Sequence, residues 1–399
     1  MATGTFPDNF LFGAATAAHQ IEGSNTNSDW WAFEHTASSG CRDPSGDACD
    51  SWHRWDEDLA LVQSLGLNSY RFSVEWARVE PASGEFSLVA LDHYRRIVQR
   101  CHDRGLVPVV TLHHFTLPAW MSERGGFESP EIAARLGAYT ERVAGAIGDG
   151  IGLACTINEP NVVALMGYLL GVFPPAVRDR KRFEVVSDAM RSSHRAMVEA
   201  LRAGPGHYPV GLTLSMAEME AIEGGEAQYA QALEHLEDAY LRAVGGDDFI
   251  GVQCYTRLRF GPDGPVGIPE GARRTLMGYE FRPEVVEHTV RRAAAVCGLP
   301  VVVTETGISA DDDAERIEFI DTALRGVAAC IADGIDVRGF YYWTLLDNFE
   351  WVLGYSQPFG IVACDRATFE RMPKPSATHL GRIARSRELG SPVGAEPRQ

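Results

Sequence analysis

The chain has 399 residues, 36 of them basic and 54 acidic, for a formal charge of −18, a balance that opposes nucleic acid and anionic membrane surfaces as partners. Met1 to Pro7 lacks a basic region followed by an apolar one, and no later apolar run is long enough to span a bilayer, so a soluble, cytoplasmic protein is expected. The 8 cysteines form no CxxC pairs, and Cys155, Cys254 and Cys330, inside apolar runs, read as small buried hydrophobes, not as a disulfide framework or a zinc site.

Taken in chain order, apolar runs predict strands over Leu11–Ala17, Ser69–Trp76, Val107–His113, Gly152–Asn158, Val210–Ser215, Phe249–Tyr255, Pro300–Glu305 and Val337–Trp343. Between them apolar residues recur at helical spacing, as in Leu91, Tyr94, Ile97, Val98 and Cys101, or Ile317, Ile320, Leu324, Val327 and Ile331. Gly66, Gly105 and Gly334 stand where a left-handed residue ends such a helix. Alternation of strand and helix means a parallel sheet, and eight such units favour a closed barrel over an open one. A doubly wound sheet would need a glycine-rich phosphate loop after its first strand. Gly13 to Ala17 holds one glycine. The expectation is therefore one (β/α)8 barrel domain over residues 1–399, with an excursion at 261–271 and a frayed tail after about residue 386.

Glu159 closes the apolar run that begins at Gly152, and Glu305 closes the one that begins at Pro300; each is stopped at once by Pro160 or by Thr306-Gly307. In a parallel barrel the C-terminal strand ends share one rim, where distant side chains face each other across a pocket. A facing carboxylate pair is the equipment of glycosidic bond cleavage. Two such glutamates alone fit solvated strand ends equally well. The other strand ends add to them: Gln20 and Glu22, Arg71 and Glu75, His113 and His114, Asn158, Gln253 and Tyr255, Trp343, and beyond the last strand Asp347-Asn348-Phe349-Glu350-Trp351.

On these residues the chain resembles glycoside hydrolase family 1, the β-glucosidase family. The likeness runs through Phe10 to Gly23, Asp50 to Arg54, Tyr70 to Ser73, Thr111 to Phe115, Asn158-Glu159-Pro160, Thr304 to Gly307, Trp343 to Trp351 and Phe359 to Val362. It covers Phe6 to about Lys374 in the right order, and implies a (β/α)8 barrel and a retaining β-glycosidase acting on a small-molecule β-glycoside without a cofactor. Carried over residue by residue, the resemblance makes Glu159 the general acid/base and Glu305 the nucleophile. Gln20, His114, Asn158, Gln253, Glu350 and Trp351 then hold the sugar, Trp343 is its stacking floor, and Tyr255 and Arg71 stand beside the nucleophile. Glu22, Glu75 and Asp347 are expected to orient neighbours, and His113 has an aromatic's place, so it serves packing or the sugar.

Physical chemistry supports these roles independently. Amides, imidazoles and carboxylates bond hydroxyls, and an indole covers the C–H face of a sugar. A guanidinium and a phenol favour an ionised Glu305, whereas Glu159 must keep a proton to donate, so the two pKa values should be pushed apart. Four residues depart from the family's pattern. Gln253 and Thr306 replace asparagines and are expected to touch the sugar, whereas Asn161 and Tyr279 replace tryptophans on the leaving-group side. β-D-Glucosides are the first expectation, with galactosides and fucosides next; the competing readings are a 6-phospho-β-glycosidase and a catalytically silent sugar-binding barrel.

Overall fold

The computed structural model describes residues 4–391. Eight strands form a closed parallel barrel: β1 Leu11–Ala15, β2 Ser69–Ser73, β3 Val107–His113, β4 Leu153–Asn158, β5 Val210–Ala221, β6 Phe249–Gly261, β7 Val301–Thr306 and β8 Val337–Trp343. Closure comes from β8 returning to β1, with Leu11 opposite Gly339 and Ala15 opposite Trp343. The expected (β/α)8 architecture is therefore the one observed. Among the described residues, no helix is long and apolar enough to cross a membrane.

Side chains alternate between two cores. One lies inside the barrel, where Ala15, Val109, Cys155, Phe249, Val302, Tyr341 and Trp343 meet; the other fills the shell between strands and helices. Gly13 is required by the inner layer, because a Cβ there would lie 2.4 Å from the Tyr341 ring. Cys155, Cys254 and Cys330 are buried free thiols, as expected. Gly66, Gly105 and Gly334 all take the left-handed conformation that ends a helix.

The strand ends differ from the sequence reading in instructive ways. β2 stops at Ser73 because the carboxylate of Glu75 accepts the Ala77 N–H at 3.1 Å and so starts a helical turn at Trp76. β5 and β6 run six residues past their predicted ends at Ser215 and Tyr255, and stand above the rim as a two-stranded projection. Glu218 pairs with Arg257 there, Met219 with Leu258 and Glu220 with Arg259. The expected excursion at 261–271 begins as a tight return, its strand Gly264–Val266 lying antiparallel on β6. The tail does not fray at residue 386. Phe6 donates to the Arg387 carbonyl and Leu389 to that of Gly4, both at 2.9 Å; residues 392–399 lie outside the described residues.

Tyr139 ties the rim together, its buried hydroxyl lying 3.0 Å from the Val74 carbonyl and 2.9 Å from that of Leu112. Those two residues lead into Glu75 and His113-His114. Tyr139→Phe should lower the unfolding free energy by about 1–3 kcal/mol, because it strips buried carbonyls of their donor. A urea melt that matches the parent within error would show that these carbonyls need no phenol.

Candidate active site

Glu159 follows β4 directly and opens the helix Pro160–Ala164, with Pro160 at the first helical position, where a missing N–H costs nothing. Its backbone is left-handed, φ 44°, and its N–H is held by the Thr213 carbonyl at 3.0 Å. A non-glycine residue in that region costs about 1–3 kcal/mol. Phe115, φ 70°, and Trp351, φ 51°, share the conformation, and all three line the same cavity. Such outliers persist only where the surrounding structure enforces them.

The cavity has a volume of 390 Å³ and lies at the C-terminal rim. It gathers Glu159, Glu305, Glu350, His114, Asn158, Tyr255, Trp343 and Trp351, with Asn161 and Tyr279 further out. Gln20, Arg71 and Gln253 are fully buried directly behind this lining. All thirteen predicted site residues thus converge on one place. No lysine or arginine side chain lines the cavity, and among the described residues no group of His, Cys, Asp or Glu could hold a metal ion.

Arg71 organises the floor. One guanidinium nitrogen pairs with Glu305, and another donates to Asn158 Oδ1 at 2.7 Å. The Tyr255 hydroxyl donates to the other Glu305 oxygen at 2.7 Å. Gln253 uses its extra methylene to reach Asn158 Oδ1 at 2.8 Å. Burial raises the Glu305 pKa, and Arg71, Tyr255 and Gln253 all act against that rise by stabilising its charge. Glu159 has far less support: burial and then the charge of Glu305 push it well above the usual carboxylate range, against the Ser215 hydroxyl and a more distant Arg71. Ionised Glu305 beside protonated Glu159 is the favoured state. Burial and the same Glu305 charge raise Glu350 to about 8, opposed by the Gln20 amide and the Trp343 indole.

Several buried polar atoms face this region without a partner. Asn158 Nδ2 donates to His114 Nε2 at 3.2 Å, which leaves His114 Nδ1 unpaired, as are Gln20 Oε1, Gln253 Oε1 and Glu159 Oε1. Buried polar atoms are rarely left so, and a polyhydroxylated ligand would supply partners. Burial, with nearby positive charge, keeps His114 neutral. The rings of Trp343 and Trp351 lie within 20° of the His114 plane, at 5.9 and 6.1 Å. Trp351 is backed by the His19 ring, parallel to it at 5.6 Å.

The supporting residues divide as follows. Glu22 accepts from Tyr94 at 2.9 Å and pairs with Arg78 at 2.8 Å. Glu75 takes the Thr116 hydroxyl at 2.9 Å, next to the His114 loop. Asp347 holds Lys374 at 2.8 Å and the Gly360 N–H at 2.8 Å. His113 meets Phe127 edge to face at 5.5 Å and lies off the cavity lining, both its ring nitrogens buried without a partner. Thr306 is a correction: its hydroxyl turns away from the cavity onto the Cys254 carbonyl at 2.6 Å, because successive residues of β7 face opposite sides and Glu305 takes the inner one.

Asn161 lies on the outer part of the cavity. Its Nδ2 is consumed by the carbonyls of Ser215 at 2.7 Å and Leu236 at 2.8 Å, so it offers the cavity no free donor. The residues missed by sequence are Met219 and Leu258 on the projection, with Met216, Leu236 and Met277 beside them. The signal was present: Glu218-Met219-Glu220 and Arg257-Leu258-Arg259 alternate with period two and carry opposite charges.

Comparison with known proteins agrees with this geometry. The model of glycosyl hydrolase family 1 matches residues 2–252 and 270–389. β-Glucosidase A of Thermotoga maritima is 30% identical, across 96% of this chain and 98% of that protein. The bifunctional β-D-glucosidase/β-D-fucosidase of Bifidobacterium breve is 32% identical across 93% and 96%. The crystal structure of β-glycosidase BGL167 superposes with a TM-score of 0.91 at 43% identity, covering 99% of both chains. With the family matched over nearly the whole barrel and the rim residues gathered in one cavity, the chain belongs to glycosyl hydrolase family 1 and is a hydrolase of O-glycosyl compounds.

Proposed function

We propose that the protein is a retaining β-glycosidase that cleaves terminal, non-reducing β-D-glucosides by double displacement. The reading rests on one observation: two buried carboxyls on one cavity have unlike surroundings, Glu305 stabilised in its charge by Arg71 and Tyr255, Glu159 not. Glu305 attacks the anomeric carbon while Glu159 gives its proton to the departing glycosidic oxygen. The glycosyl ester on Glu305 is then attacked by water, whose proton returns to Glu159. Gln20, His114, Asn158, Gln253, Glu350 and Trp351 hold the hydroxyls, and Trp343 underlies the ring.

Galactosides and fucosides are the next candidates, and the relative named for both glucoside and fucoside activity supports the second. A 6-phosphorylated sugar is disfavoured. Its dianion would enter a cavity lined by three carboxyls and no cation, and Lys374 is committed to Asp347.

Three tests follow. Without Glu305 no covalent intermediate can form, so Glu305→Ala should lose all turnover. Glu159→Ala should keep cleaving activated aryl glucosides and regain deglycosylation with azide, which needs no deprotonation. Equal loss on activated and unactivated substrates, with no azide rescue, would mean that Glu159 is not the acid.

The first sugar released should be the β-anomer by proton NMR. An α-anomer would exclude retention.

The rate should follow a bell in pH, rising as Glu305 ionises and falling as Glu159 loses its proton, the two limbs belonging to the coupled pair. Tyr255→Phe removes a hydrogen bond to the charged form of Glu305, raises its pKa and should move the rising limb of kcat/KM upward by about half to one pH unit. An unmoved or lowered limb would assign that ionisation elsewhere.

A further inference from the structure

The leaving-group half of the cavity is built unlike the sugar half. On the projection of β5 and β6, Met219 and Leu258 are direct cross-strand partners and both face the cavity. The flanking charges pair among themselves: Arg257 with Glu220 at 2.9 Å, Arg259 with Glu280 at 2.7 Å, and Arg282 with Glu218 at 2.8 Å. The projection is thus held upright by ion pairs and shows the substrate hydrocarbon. Leu165, Met166, Leu236 and Met277 complete the apolar wall.

Polar groups in this half are already spent. The Asn161 amide hydrogens go to two backbone carbonyls, the Ser215 hydroxyl favours the charge of Glu159, and the Thr256 hydroxyl goes to the Glu280 carbonyl at 3.3 Å. Asn161 Oδ1, buried without a partner, and the Tyr279 phenol remain. A second sugar would need partners for several hydroxyls, and although the Phe173 and Tyr279 rings stand on this cavity, few free polar groups accompany them. Methionine-rich walls instead fit irregular or flexible hydrocarbon. The apolar surface continues outward: Leu258 is 38% exposed, and Ile222 and Val266, 40% and 41% exposed, flank Gly261 at the tip. Leu258 and Val266 also fall within 253–269, the stretch between the two blocks matched to the family.

We propose that this half is a subsite for an aliphatic aglycone, an alkyl or isoprenoid chain, with the Met219–Leu258 rung as its principal determinant. The proposal rests on the hydrolytic reading above and names its leaving group. The test is kcat/KM across n-alkyl β-D-glucosides from ethyl to octyl, each kept below its micellar concentration, with cellobiose alongside. The alkanols leave with nearly equal difficulty, so any trend reports burial of the chain. Each methylene from butyl to octyl should raise kcat/KM two- to fourfold, up to about the limit set by full burial of a CH₂, and hexyl glucoside should exceed cellobiose at least tenfold.

Leu258→Asn, at a half-exposed position that tolerates a polar side chain, should cut the increment per methylene, and adding Met219→Thr should bring it below 1.5-fold. A flat series in the wild type, while nitrophenyl β-glucoside is still hydrolysed, would overturn the aliphatic subsite and leave the glycosidase reading standing. An unchanged slope in the double variant would overturn the assignment to this rung. Failure to release nitrophenol from any β-glycoside would instead overturn the hydrolytic reading on which the subsite rests.

Discussion

Everything chemical in this barrel depends on a fully buried arginine. Arg71 carries its charge in the barrel interior, where an unpaired ion would cost several kcal/mol. Glu305 answers that charge and Asn158 takes a second nitrogen, so strands β2, β4 and β7 are coupled through one guanidinium. The pair is weak evidence for stability, since desolvation offsets much of its attraction. Its value lies in what it fixes. On the proposed reading an ionised Glu305 is the nucleophile, and its negative charge is also a reason why Glu159 keeps a proton. One ion pair therefore bears on the protonation of both carboxyls, beside the burial that raises each.

Much of this was legible in the chain because a barrel strand ends where its apolar run ends. Glu159 and Glu305 stand at such ends, and so do Asn158, His114 and Trp343, which is why strand reading and family likeness led to the same cavity. The limits of the reading are equally physical. His113 and His114 are adjacent, and only the backbone decides which ring turns inward; φ 70° at Phe115 belongs to the loop that brings His114 to the cavity. Thr306 looked like a sugar contact because it follows Glu305, but strand alternation turns it onto Cys254.

The projection of β5 and β6 escaped for a different reason. Its strands continue past the apolar run, so hydrophobicity alone ends them too early. What carries them on is charge: Glu218, Glu220 and Glu280 against Arg257, Arg259 and Arg282, on the face away from the cavity and largely covered by one another. Most of these side chains are largely covered, Arg259 and Glu280 most of all, and it is as a mutually paired network that such a ladder persists. The tail beyond Ser386 escaped similarly, because its partners, Gly4 and Phe6, are backbone groups at the far end of the chain. No local pattern encodes that contact.

The two halves of the cavity are consequently supported by different physics. The sugar half is gripped from behind by buried hydrogen bonds, from Arg71 and Gln253 to Asn158 and from Gln20 to the Phe349 carbonyl, where changing one member strands its partners in low dielectric. That half is costly to alter and correspondingly exacting, since a site built to bond each hydroxyl penalises any sugar that leaves those groups unpaired. The leaving-group half hangs on a ladder whose charges pair with one another on the far face and whose inner face is Met219 and Leu258. Substitution there disturbs neither Arg71 nor the carboxyl pair. On the proposed reading aglycone choice is thereby separated from the chemistry: the residues that set the proton inventory are locked inside the barrel, and those that select the leaving group stand above its rim.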